Sequence, residues 1–150
     1  MDIVKRLFCL CILLTVVGCN GTDQPVENKD VNIVQTAKKT PFNQDVSRRA
    51  VDYVSMIDEV NRVKAVNSDD TLLMSFDVNH LNRFRISNIE KDIKSDLEKI
   101  FPKHQVEVSY DRKIMLEVER LQAKMEKEKM KKEQLKKDMK KIIDLMKEKT

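Results

Sequence analysis

Leu72, Met74, Phe76 and Val78 alternate with Leu73, Ser75, Asp77 and Asn79. Successive residues of a strand point to opposite faces, so this period of two predicts a β-strand with one strongly apolar face. A strand of that kind needs a layer to lie against, and helical patterns flank it on both sides. Val46, Ala50, Tyr53 or Val54, and Ile57 recur at spacings of three and four, which predicts a helix over about 44–60. Ile86, Ile89, Ile93, Leu97 and Ile100 predict a second helix, stopped by Pro102. Ser87 and Glu90 fit a capping box, so this helix is expected to begin near Ser87. Asn79 to Arg85 fits either a loop or an earlier helical turn.

Two further strands are expected. Val63 and Ala65 alternate with Arg62 and Lys64, which predicts a short half-buried strand. Asn67-Ser68-Asp69-Asp70 reads as the turn between it and the strand that follows. Val106, Val108 and Tyr110 alternate with Glu107 and Ser109 to give the third strand. The order helix-strand-strand-helix-strand predicts an α+β module over 44–112, a three-stranded sheet with helices on one face. A module of this size is barely large enough for one core, so a helix of the tail is expected to help cover it.

The N-terminus constrains where the chain resides. Lys5 and Arg6 precede an apolar run from Leu7 to Val17, which ends at Val16-Val17-Gly18-Cys19. The run is too short to span a bilayer as a helix and has the dimensions of a secretory signal. Its ending resembles a bacterial lipobox, although Val16 stands where leucine is commonest. Residues 1–18 are therefore expected to be a lipoprotein signal peptide, with Cys19 carrying the lipid, palmitate included. An ordinary secretory signal and a retained anchor are the other readings. Cys9 and Cys11 leave with the signal, so no disulfide or cysteine nucleophile is expected in the mature chain. Residues 19–43 are polar, contain Gly21, Pro25 and Pro41, and read as a flexible linker.

Removing residues 1–18 takes Lys5, Arg6 and Asp2, so 29 basic and 25 acidic residues become 27 and 24. A balance so mild points away from a nucleic-acid binder. The charge concentrates in the tail, 113–150. From Ile114 to Met146 the tail keeps a four-three register that Glu128 and Lys132 interrupt. It fits one long coiled-coil-like helix or a helical hairpin, and continuity is favoured because neither Gly nor Pro demands a break. Its first half would cover the module and its second half would meet a partner.

Few residues suggest chemistry. His80 and His104 are not spaced as paired metal ligands, and nothing in the sequence brings Asp77 and Asp111 together with them. With only Gly18 and Gly21, no glycine-rich phosphate loop is available. The carboxylates of Asp69-Asp70 belong to a turn. No catalytic residue, metal, cofactor or small-molecule substrate is expected. Arg83-Phe84-Arg85 is the most specific polar feature, a possible partner contact through bidentate arginine bonds. The plainer reading packs Phe84 into the core and leaves both arginines in water.

Residues 77–121 resemble the YhcN/YlaJ family of sporulation lipoproteins of spore-forming bacilli. The resemblance is carried by Asn82-Arg83-Phe84-Arg85, Ile89-Glu90-Lys91, Leu97-Glu98-Lys99-Ile100-Phe101-Pro102 and Val106-Glu107-Val108-Ser109, with Asp111 and Lys113. It implies a lipoprotein at the extracytoplasmic face of the forespore or spore membrane, acting in sporulation or germination without catalysis. The element order is also similar to ring-building and BON-type modules, an analogy of fold alone. The expected partners are the membrane, through Cys19, and a spore-envelope protein, through the 113–150 helix. The alternative is a general envelope binder whose basic tail docks on anionic lipid or wall polymer.

Overall fold

The computed structural model describes residues 42–127 and 130–148. The central strand is the one that the alternation predicts. β2 (Thr71–Val78) lies between β1 (Val60–Asn67) and β3 (Gln105–Ser109). β1 and β2 pair antiparallel, from Val60↔Val78 to Asn67↔Leu72, with a register shift between Val60 and Arg62. β2 and β3 pair parallel, from Thr71↔Gln105 to Ser75↔Ser109. A parallel pair needs a crossover, and α2 (Ile86–Ile100) supplies it. α1 (Asp45–Ser55) precedes the sheet, a 3-10 helix (His80–Arg85) leads into α2, and α3 (Arg112–Lys127) and α4 (Lys132–Lys147) follow β3.

The sheet is covered on both faces. Leu72, Met74, Phe76 and Val78 share one core with Ala50 and Val54 of α1, Ile89, Ile93 and Leu97 of α2, and Val106 and Val108 of β3. Leu73 faces the other way, and with Val66 it packs against Ile114, Val118 and Leu121 of α3 and Leu135 and Met139 of α4. Helices on one face only is therefore the wrong picture. A second apolar face exists because Val66 and Leu73 must be buried, and the tail buries them. This also lengthens β1, which is neither short nor half-buried: Val63, Ala65, Val66 and Asn67 are all buried. Ser75 is buried on β2 and stays satisfied by donating from Oγ to the Ser109 carbonyl at 2.9 Å.

The tail does not form one continuous helix. Lys131 has extended backbone, φ −91° and ψ 155°, which ends any helical path before α4. α3 and α4 fold onto each other, tied by Lys124 Nζ to Asp138 Oδ2 at 2.9 Å. The apolar residues of α4, Leu135, Met139, Ile142 and Ile143, join the core that Leu73 and Val66 begin. The second half of the seam is thus spent inside the chain and is not offered to a partner helix. The seam divides between α3, which ends at Lys127, and α4, which begins at Lys132. Burying a continuous stripe of about 40 residues requires a long partner, and folding back needs none.

The ends of elements differ in detail from expectation. α1 stops at Ser55, and Tyr110 falls beyond β3. The capping box of Ser87 and Glu90 does not form. The 3-10 helix runs directly into Ile86, whose backbone is already α-helical, and no side chain caps α2. Ser87 Oγ instead lies 3.4 Å from the Tyr110 hydroxyl. Opposite the 3-10 helix, at the far end of the sheet, Asn67 clasps the start of α1. Its Oδ1 accepts the Ser47 amide at 3.0 Å, and Gln44 Nε2 donates to its carbonyl at 2.7 Å. Residues 1–18, Cys19 and the linker lie outside the described residues. Among those described, no helix is long and apolar enough to cross a membrane.

Candidate contact site

The 3-10 helix grows from the end of β2 and is fixed by two asparagines. Asn79 donates its amide to the Glu59 carbonyl at 3.1 Å, which ties the turn to the entry of β1. Asn82 donates its amide to the Asn79 carbonyl at 3.1 Å and its side-chain Nδ2 to Asn79 Oδ1 at 2.8 Å. In a 3-10 helix residues three apart eclipse one another. Asn79 and Asn82 therefore occupy one edge, and Leu81 and Phe84 share another. The first edge is bonded to the fold and the second projects into solvent.

Leu81 and Phe84 are each 83 % exposed. The packing of Phe84 into the core does not occur; the neighbouring residues that join that core are Ile86 and Ile89. Arg83 and Arg85 are exposed as well, and neither has an ion pair among the described residues. All three residues singled out from the sequence therefore lie on one surface turn. The sequence reading missed Leu81, although its spacing of three from Phe84 was visible. It also missed what the topology adds. β1 begins, and β2 and β3 end, at the same end of the sheet, so Met56 and Tyr110 lie at that end too. Met56 is 81 % exposed and Tyr110 is partly so.

The basic tail is less free than its composition implies. Lys124, Lys132, Lys136, Lys140 and Lys141 all lie within ion-pair distance of Asp138, Asp69, Asp70, Asp144 and Asp138 in turn. Asp70 sits below the ordinary carboxylate range because the Ser68 hydroxyl and the Lys136 ammonium bond its charged form. Solvent-facing pairs of this kind add little stability, but they do mute the outward field of the helix.

The histidines are not brought together. His80 is exposed at the start of the 3-10 helix, whereas His104 stands edge-on to Phe101 at 6.4 Å between ring centroids. Among the described residues, no three His, Cys, Asp or Glu side chains are placed to hold a metal. A recess of about 140 Å³ beside Asn67 and Lys132 is smaller than ordinary ligand sites, and an open one of about 310 Å³ beside Asp70 and Lys140 is at their lower end.

The family model describing the sporulation lipoprotein YhcN/YlaJ matches residues 18–147, from the residue before Cys19 through the end of α4. No curated protein and no solved structure matches the chain, so the analogy to ring-building and BON-type modules carries no further argument. Because the match covers most of the sequence, and includes the sheet, the 3-10 turn and both tail helices, the chain belongs to the YhcN/YlaJ family of sporulation lipoproteins.

Proposed function

We propose that this lipoprotein is a non-enzymatic module held at the extracytoplasmic face of the forespore or spore membrane by lipid on Cys19. In this reading residues 1–18 are the signal peptide and 19–43 the lipidated tether. The folded part acts by contact in sporulation and germination. The surface it uses is the exposed 3-10 turn carrying Arg83, Phe84 and Arg85.

The observation that carries the reading is an apolar pair, Leu81 and Phe84, left in water. Isolated exposed apolar residues are ordinary, but Leu81 and Phe84 share one turn with Arg83 and Arg85, which have no ion pair among the described residues. Membership of a sporulation lipoprotein family supports the anchor and the developmental setting. The wall- or lipid-docking tail is the weaker alternative, since five of its lysines already face carboxylates of the same chain.

Two measurements test the proposal. Labelled palmitate should enter the parent protein and not Cys19→Ala, and the variant should leave the detergent phase. Immunoblots across growth and sporulation should show accumulation only after sporulation begins. Equal abundance in vegetative cells, or lipid retained by Cys19→Ala, overturns the reading.

A further inference from the structure

We infer that the 3-10 edge is a membrane-inserting wedge, which seats Leu81 and Phe84 among the acyl chains of an anionic bilayer while Arg83 and Arg85 engage lipid phosphates. The inference rests on the anchored-module reading above and specifies what its contact surface touches.

Charge along the turn itself favours the bilayer over an undefined protein, the acids at that end of the sheet, Asp58 and Glu59, lying on the neighbouring connection into β1. From Val78 to Ile89, twelve consecutive residues, the chain contains no acid, though more than a third of the whole sequence is charged. Arg83 and Arg85 are the only formal charges in that stretch. A surface meant for a protein partner gains specificity from mixed signs, whereas a phospholipid surface presents one sign only. Arginine suits it twice, because its guanidinium pairs with phosphate in bidentate fashion and its alkyl stem lies along apolar surface.

Shape agrees. Leu81 and Phe84 project from the end of the sheet into solvent, so they resemble an inserting edge more than half of a cleft. Met56 and Tyr110 stand at the same end of the fold. Tyrosine is at home at headgroup depth, where its ring is apolar and its hydroxyl wet.

Reach also permits it. The described chain begins at Phe42, beside Asn67, at the opposite end of the sheet from the wedge. β2 has eight residues, so the two ends are separated by about 26 Å. Twenty-two residues intervene between Cys19 and Phe42, and such a segment reaches at most about 80 Å. The anchor can thus be attached at one end while the other end faces the lipid. Tethering keeps the local lipid concentration high, so a shallow contact that would be too weak alone becomes populated.

The test uses the mature lipoprotein reconstituted into vesicles. With Cys9 and Cys11 gone and Cys19 alkylated, an added cysteine is the only free thiol. Leu81→Cys is labelled with an environment-sensitive fluorophore, with Lys103→Cys, exposed at the far end of the sheet, as the control. Vesicles of phosphatidylglycerol and phosphatidylcholine contain a shallow doxyl-lipid quencher. Quenching several-fold stronger at position 81 than at 103, and lost both in pure phosphatidylcholine and on adding Arg83→Glu with Arg85→Glu, is the expected result. Equal quenching at both positions, or none at 81, overturns the wedge. If the protein sediments with the vesicles while position 81 stays in water, the anchored module survives and the edge belongs to a protein partner. If it does not sediment, both readings fall.

Discussion

Lys124 on α3 donates from Nζ to Asp138 on α4 at 2.9 Å, and this bond joins the two tail helices across the break in their seam. Gln134 donates to the other carboxylate oxygen at 2.8 Å, so Asp138 is satisfied on both sides. Burial raises the affinity of this carboxyl for a proton. The bonds from Gln134 and Lys124, with the charges of Lys124 and Lys141, outweigh that and hold it below its ordinary value of 3.8. A depressed carboxyl stabilises the fold above that ordinary value, and the gain is lost as pH falls through the lower folded value.

Asp138→Asn should therefore cost about 1 kcal/mol at neutral pH, because Lys124 is partly solvated and the pair is only moderately shielded. The difference from the parent should shrink as the pH is lowered below 3.8. Urea denaturation at neutral and acid pH checks both statements.

Truncation after Leu121 should unfold or aggregate the protein. It removes Met125, Met130, Leu135, Met139, Ile142 and Ile143, which cover Val66 and Leu73. Leu73→Ala tests the same face without deleting chain, and a fully buried leucine removed from a core costs about 2–5 kcal/mol. Circular dichroism of the truncation and thermal melts of the point variant measure these. A truncated chain that melts like the parent would show that the tail is dispensable for folding.

Asn67→Ala should cost about 1–3 kcal/mol, since it strips the buried Ser47 amide of its acceptor. It also removes the Nδ2 donor to the Asn43 carbonyl. Hydrogen exchange should accelerate first at the start of α1, and uniform acceleration across the sheet would argue against this local role.

Glu90→Gln should be neutral or slightly stabilising at pH 7. Burial pushes the Glu90 carboxyl above its ordinary value of 4.5, against the bond from the Tyr110 backbone and the charges of Lys94 and Lys91. A raised carboxyl favours folding below its unfolded value, and that advantage fades as pH climbs through the folded one. The neutral amide avoids the loss, so the variant's melting temperature should equal or exceed the parent's at pH 7 and lose that lead below pH 4.5.

Local pattern was enough to identify the elements. The alternation over Thr71–Val78 and the isoleucine stripe of α2 are visible residue by residue, because strand and helix each impose their own spacing on buried side chains. The contact turn was legible as Arg83-Phe84-Arg85, but its exposure was not, since a lone phenylalanine has no period to say which way it points. Spacing of three with Leu81 was the overlooked signal.

The sequence by itself determined the α+β class, the three strands and the family. Tertiary structure alone decided that Val66 and Leu73 form a second core face, that α4 folds back beside α3 to complete its cover, and that Leu81 and Phe84 stay in water. The reason is physical: periodicity records that a face must be buried, whereas its partner is chosen by the competition among all apolar faces of the chain for the same small amount of interior.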